Sequence, residues 1–256
     1  MEVNKIICGD CLEVMPNIPD KSIDMILCDL PYGTTACKWD VIIPFESLWK
    51  EYKRIIKDNG AIVLFGSQPF TSMLVMSNLK MFKYEWIWEK GKATNFLLAK
   101  KQPLKIHESI LIFNTNIYFY QQQPLTNSGI NRNNRNKNAI FKNKNSVYGN
   151  VTNLRVIKYK GKIEGYPKSI IKFNSEANNQ YIKQVFHPTQ KPVALFEYLI
   201  ETYTNKGDLV LDNCAGSGTT GVACKNLGRN YILIEKEEKY VEIARNRIKA
   251  IPELLF

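Results

Sequence analysis

Asp29-Leu30-Pro31-Tyr32 places a carboxylate, a rigid ring and a phenol in four consecutive positions. The residues before it, Ser22-Ile23-Asp24-Met25-Ile26-Leu27-Cys28, read as a buried β-strand that ends at Asp29. The tetrapeptide therefore falls at the carboxyl end of a strand, where open α/β sheets bind their ligands. A carboxylate and an adjacent backbone carbonyl can both accept hydrogen bonds from one amino group, and a tyrosine ring can stack on a planar base. That combination suits an exocyclic amine on a nucleobase. A plain strand-to-loop turn would also use Asp and Pro, so the chemical reading needs a second element elsewhere in the chain.

That element lies far downstream. Asp208-Leu209-Val210-Leu211-Asp212 is a short apolar run capped by an acid, and Asn213-Cys214-Ala215-Gly216-Ser217-Gly218-Thr219-Thr220 follows it. Helical spacing resumes at Gly221-Val222-Ala223-Cys224-Lys225-Asn226-Leu227. Strand, glycine-rich turn and helix bring backbone close to a ligand and aim free N–H groups at it. The next apolar run, Tyr231 to Ile234, ends in Glu235. An acid about 20 residues beyond such a turn is placed to hold ribose hydroxyls. Gly216, Gly218 and Gly221 satisfy Gly-x-Gly-x-x-Gly, so the turn alone admits either a nicotinamide dinucleotide or S-adenosylmethionine. The element at 29–32 favours the second, because hydride transfer has no use for it.

Together these residues resemble the β-group of amino-methyltransferases acting on DNA, in which the catalytic motif precedes the cofactor motif. The family signature is Asp-Pro-Pro-Tyr; Leu30 replaces one proline and keeps the backbone carbonyl. Ile7-Cys8-Gly9-Asp10-Cys11-Leu12 resembles the family's turn for the cofactor adenine. Gly60 to Gly66 resembles the strand after the catalytic loop, and His187-Pro188-Thr189-Gln190-Lys191-Pro192 the entry to the cofactor half. The resemblance implies an α/β fold: a Rossmann-like sheet of the S-adenosylmethionine-dependent methyltransferase type, helices on both faces, permuted motif order and an inserted target-recognition region. Its divisions would be 1–120 (catalytic half), 121–186 (insertion) and 187–256 (cofactor half).

The resemblance assigns catalysis to Asp29, Leu30, Pro31 and Tyr32. It assigns S-adenosyl-L-methionine to Asp10, Cys11, Asp29, Lys191, Asp212, Ala215, Gly216, Ser217, Gly218, Thr219 and Glu235, with Lys191 reaching the methionine carboxylate. Cys214 stands where the family often has a phenylalanine packed near the methyl group, which would leave the pocket less closed. The implied activity is site-specific methyl transfer to N6 of a flipped-out adenine in double-stranded DNA. N4 of cytosine is the runner-up; an RNA adenine methyltransferase and an inactive DNA-binding subunit are more distant alternatives. A homodimer and a cognate restriction enzyme are partners that the resemblance admits.

Charge points the same way. The chain has 35 Lys and Arg against 24 Asp and Glu, a net charge of +11. Between Gln121 and Phe186 there are twelve basic residues and two acids, nearly the whole surplus, and a basic patch is the footprint of a polyanion. Arg132, Arg135, Lys142, Lys144, Arg155, Lys158 and Lys160 are the candidate DNA contacts. Tyr148, Tyr159 and Tyr166 interleave rings with these charges, and one of them could fill the space left by a flipped base. A solvated loop would have the same composition. Residues 131–145 are expected to be mobile without DNA.

The remaining features set bounds. No run is long enough to span a membrane and the first residues lack a signal-peptide core, so a cytoplasmic protein is expected. Six scattered cysteines suit reduced thiols. Cys8 and Cys11 form a single Cys-x-x-Cys without a second pair, and no metal is expected. Periodicity predicts strands at 5–8, 23–28, 61–65, 84–89 and 108–114, and helices at 45–57, 70–79, 193–203 and 239–251. It leaves 94–103 as a loop near the active face, and Trp39 as a candidate for the target pocket.

Overall fold

The computed structural model describes residues 2–35, 37, 40–114, 119–121, 167–174 and 190–252. In chain order the strands are β1 (Lys5–Cys8), β2 (Ile23–Cys28), β3 (Ile56–Gly66), β4 (Phe82–Thr94), β5 (Lys105–Phe113), β6 (Ile170–Lys172), β7 (Leu209–Asp212) and β8 (Asn230–Glu235). The helices are α1 (Cys11–Val14), α2 (Phe45–Ile55), α3 (Phe70–Ser77), α4 (Val193–Tyr203), α5 (Thr219–Leu227) and α6 (Glu238–Lys249). The strands form one sheet in the order β1-β8-β7-β2-β3-β5-β4-β6. Among the described strands only β5 runs against its neighbours; the other pairings are parallel.

The central strands read as continuous apolar runs because both faces of the sheet are covered. Ile26 and Cys28 of β2 share a buried cluster with Leu48, Tyr52 and Ile55 of α2. Alternate residues point the other way. On β3 one of these is Phe65, which stacks on Phe196 of α4 with centroids 5.3 Å apart. Tyr203 ties α4 to β4: its hydroxyl lies 2.8 Å from the indole nitrogen of Trp86, which donates to it. No helix among the described residues is long and apolar enough to cross a membrane.

Several elements differ from their expected limits. Helix α2 stops at Ile55 instead of 57, because Ile56 enters β3 and pairs with Ile23. The next pair is Met25 with Ala61, so residues 57–60 bulge out of the strand. Strands β4 and β5 run to Thr94 and from Lys105, beyond the expected limits 84–89 and 108–114, and meet the expected loop 94–103 at Thr94. Residues 170–172, read above as part of the insertion, form an edge strand beside β4, and Trp88 donates from its indole to the Phe173 carbonyl at 2.8 Å. The seven candidate DNA contacts, the three interleaved tyrosines, His187 and Trp39 lie outside the described residues.

The turn between β7 and α5 shows why three glycines recur there. Gly216 has φ 51° and a Cβ on it would meet nothing within 4 Å. Gly218 has φ 79°, and a Cβ there would sit 2.6 Å from Cβ and 3.1 Å from Cα of Ala244 in α6. Gly221 lets α5 approach β8, since a Cβ would lie 2.8 Å from Leu233 Cδ1. Only the first of the three faces open space. Asp212, at the end of β7, is buried and accepts from the Thr220 hydroxyl and, at 3.1 Å, from the Cys214 N–H. Burial pushes its carboxyl up to about 7, against the lowering effect of those hydrogen bonds.

Two outcomes follow from this packing. Gly218→Ala combines a left-handed backbone with a clash against α6, and should lower unfolding free energy by roughly 2–4 kcal/mol in urea titration. Asp212 binds its proton more tightly folded than unfolded, so its contribution to stability should fall as pH rises from about 4 to about 7 and be flat above. Asp212→Asn should remove that fall, roughly 2–4 kcal/mol, from the difference between denaturation curves taken at the two ends.

Candidate active site

The strand order brings separate carboxyl ends to one edge. β2 lies beside β7, with Ile26 opposite Leu211, and β7 beside β8, with Asp212 opposite Leu233. Cys8 at the end of β1 is opposite Glu235 at the end of β8. Asp10, Asp29, Asp212 and Glu235 are therefore neighbours along the rim although they span most of the chain. They line one cavity of about 760 Å³, together with Leu30, Pro31, Tyr32, Lys191 and the 215–217 turn. That is a size suited to a small-molecule ligand.

At one end of the cavity Asp29 is held on both oxygens. The Tyr32 hydroxyl donates to Oδ1 at 2.7 Å, and the Lys191 ammonium pairs with Oδ2. Burial, then the nearby Asp29 charge, pushes the Tyr32 phenol well above its ordinary range, so it remains a donor. Its ring stacks on Phe70, centroids 5.1 Å apart. Leu30 is buried and takes its side chain into the core cluster, which leaves its backbone as the polar part.

Lys191 connects three elements. It leads into α4, pairs with Asp29 after β2, and lies 3.4 Å from Oε2 of Glu108 on β5. Lys90 on β4 pairs with the other Glu108 oxygen. Burial alone would pull the Lys191 pKa down; Asp29 and then Glu108 outweigh it and hold the ammonium above the ordinary lysine range. Burial would likewise raise Glu108, and the charges of Lys191 and Lys90 hold it lower. Glu108 and Lys90 escaped the sequence reading. Lys90 lies among charges in Glu89-Lys90-Gly91-Lys92 and Glu108 at the polar start of an apolar run, so neither stands out locally.

The loop after the tetrapeptide is tied by another carboxylate. Asp40 is buried and accepts from the N–H groups of Gly33, Thr34 and Thr35 at 2.8, 2.9 and 2.7 Å. Burial would raise its pKa, and the hydrogen bonds from this loop lower it below the usual range. Three amides on one side chain fix the loop that carries Pro31 and Tyr32 into the cavity wall.

At the other end Glu235 accepts from the Gly216 N–H at 2.7 Å through Oε2 and from the Glu237 N–H at 2.9 Å through Oε1. A carboxylate has about four acceptor sites, so it keeps capacity toward the cavity. Asp10 caps α1 by accepting from the Leu12 N–H at 2.9 Å, and lies 3.5 Å from the Lys236 ammonium. Ser217 is turned inward: Arg247 donates to its carbonyl at 2.6 Å and to its hydroxyl at 2.8 Å. Thr219 is buried, 3.4 Å from the same guanidinium. Asp212 is occupied by Thr220 and Cys214. Ala215 is buried and donates its N–H to Ile234.

The structure thus brings all the candidate catalytic and cofactor residues to one region, but Ser217, Thr219, Asp212 and Lys191 use their side chains within the protein. Arg247, which holds the turn from α6, was not found by sequence because it lies in an ordinary amphipathic helix. Cys11 is buried and packs in the same cluster as Cys28 and Cys214, while Cys8 is exposed. Among the described residues no group of His, Cys, Asp and Glu is arranged to hold a metal ion.

Comparison with known proteins places this rim in a family. A family model described as DNA methylase, of the N6/N4 methyltransferase type, matches residues 23–246. The type II methyltransferase M.HinfI of Haemophilus influenzae is 29% identical over 280 residues, covering 97% of this chain and 69% of the relative. The DNA adenine methyltransferase YhdJ of Escherichia coli (strain K12) is 28% identical, covering 96% and 83%. Among solved structures, an M1.HpyAVI–SAM complex superposes with a TM-score of 0.62 at 25% identity, covering 95% of this chain and 98% of that one. The match runs from the first residue of β2, through the Asp29 tetrapeptide and the glycine turn, into α6, and the chain belongs to the N6/N4 family of DNA methylases.

Proposed function

We propose that this protein transfers a methyl group from S-adenosyl-L-methionine to N6 of an adenine flipped out of double-stranded DNA. The observation that carries the reading is the shared cavity: a carboxylate, a backbone carbonyl and a tyrosine for an amine at one end, an open glycine turn and Glu235 at the other. Asp in the first position of the tetrapeptide goes mostly with adenine in the family it resembles, and one relative is named as an adenine methyltransferase. N4 of cytosine is the second reading.

The residues fit the cofactor. Gly216 offers backbone with open space where a Cβ would project, and Glu235 and Asp10 offer acceptors for ribose hydroxyls; Lys191, which the resemblance assigns to the methionine carboxylate, is paired with Asp29 and Glu108 in this structure. Bound S-adenosylmethionine supplies an electrophilic methyl on a positively charged sulfur. The chain's own residues prepare the amine. The N6 lone pair is delocalised into the adenine ring and is a poor nucleophile. Hydrogen bonds from the amine to Asp29 and to the Leu30 carbonyl draw it toward tetrahedral geometry and localise the pair, an effect of orientation and preorganised electrostatics. Tyr32, braced by Phe70 on one side, offers a ring face to the base, and Pro31 stiffens the wall. The amine cannot reach this rim inside a duplex, so the base must leave the stack. A cytoplasmic location, a second copy of the chain and a cognate restriction enzyme complete the reading.

Expression in a host without DNA methylation, followed by hydrolysis and mass spectrometry, should yield N6-methyladenine; N4-methylcytosine alone would favour the second reading. Sequencing of the modified bases would give the target site. Asp29→Ala should lower methyl transfer by roughly 10²-fold or more per folded molecule, and should also lower the melting temperature, because it takes one of two counter-ions from the buried Lys191 ammonium.

The basic stretch 121–186 is proposed as the target-recognition element, with Arg132, Arg135, Lys142, Lys144, Arg155, Lys158 and Lys160 toward DNA. Replacing Lys142 and Lys144 together by Gln should make the log–log salt slope of DNA binding shallower by about one to two units. Fluorescence anisotropy across a salt series reads this, and cofactor affinity should be unchanged.

A further inference from the structure

Strands β4 and β5 continue beyond the expected sheet as a two-stranded arm. Glu89 is opposite His107, but the next pair is Thr94 with Lys105, so Lys90 to Ala93 bulge out of one strand. Lys92, Ala93 and Thr94 line the same cavity as Asp29. At the tip Asn95 turns the chain with φ 64° into a single turn, Phe96–Leu98. Phe96 is 75% exposed and Leu97 85%. Two large apolar side chains so exposed at a tip, outside the core cluster of the described residues, are not explained by folding.

The arm is also basic. Between residues 90 and 105 there are five lysines and no acid. Lys90 is engaged by Glu108, whereas Lys92, Lys100 and Lys101 are exposed. An apolar tip alone would fit another protein as well as a nucleic acid; a tip set among exposed lysine charges fits a polyanion. Phe96 is two residues from Thr94, within about 7 Å of chain reach, so the tip lies close to the cavity that a flipped base would enter.

We propose that this arm is a wedge for the DNA base stack. Phe96 and Leu97 enter the gap as the target base leaves, and Lys92, Lys100 and Lys101 meet the flanking phosphates. Apolar side chains inserted between base steps offset the unstacking they accompany. The inference rests on the DNA-methyltransferase reading and assigns the filling of the gap to this arm, not to the basic insertion.

The test uses the full chain, S-adenosylmethionine and duplexes carrying the mapped site. In a Phe96→Ala, Leu97→Ala double variant, both positions are exposed, and melting temperature and oligomeric state should match the parent. Single-turnover methylation of the fully paired duplex should slow about tenfold or more, while a duplex with an abasic site opposite the target base, already loosened, should react within about threefold of the parent rate. The fluorescence rise of 2-aminopurine at the target position should be lost. Equal slowing on both duplexes, or no slowing, overturns the wedge, as does a change of oligomeric state with normal flipping, which would assign the tip to a second copy. A parent protein that methylates no DNA overturns the reading beneath it as well. Lys100→Gln with Lys101→Gln should weaken DNA binding and make the salt slope shallower by about two units; an unchanged slope removes the phosphate contacts.

Discussion

A buried ammonium holds this active site together. Lys191 lies between Asp29 and Glu108 with little access to water. A charge in that position is tolerated only where opposite charges meet it at close range. Its two carboxylates come from β2 and from β5, with β3 between those strands. The cation itself comes from the segment that leads into α4, more than 80 residues further along the chain than Glu108. The cluster can form only when the sheet order and the entry of α4 are both correct. The residue taken to act on the substrate is therefore also a counter-ion of the fold, and its position is set by the same contact that joins the two ends of the domain. Lys90 extends the chain of charges to β4, so the wall that carries the arm shares in this balance.

The rim around that cluster divides its work between groups that face the cavity and groups that hold them there. Asp40 gathers three backbone amides and fixes the loop of Pro31 and Tyr32. Arg247 gathers the carbonyl and hydroxyl of Ser217 and fixes the glycine turn. Glu235 does both, since it anchors the Gly216 N–H and still lines the cavity. A glycine-turn pattern read as a row of ligand contacts overstates the number of side chains that are free. Of its three glycines, one is favoured by its left-handed backbone beside the open cavity and two are required by the packing of α5 against α6 and β8. This is why the Gly-x-Gly-x-x-Gly spacing did not separate two kinds of nucleotide site: most of the pattern reports helix–sheet packing.

The elements that were legible are the ones set by local pattern. β1 and β2 match their expected bounds, as does α4, because each is a short apolar or amphipathic run bounded by polar or turn residues. Limits were missed where pairing overrode periodicity. Ile56 looks like the end of a helix and is a strand residue because Ile23 lies opposite it. The strands on either side of the 94–103 loop are longer than their patterns suggest, because pairing of β4 with β5 carries them to Thr94 and from Lys105. Ile170 to Lys172 carries no strong strand signal, and the edge of β4 makes it one.

What the sequence by itself determined is the chemistry at each end of the cavity: an acid, a carbonyl and a phenol after one strand, a glycine turn and an acid after two others. Those identities are local, and residue type with strand-end position is enough to read them. Only the tertiary structure decided that the two ends share one cavity, because the adjacency of β2 and β7 is a property of the sheet order. It alone made Glu108, Lys90, Asp40 and Arg247 part of the site. Their roles come from burial and from partners distant in the chain, and neither is written in the residues beside them.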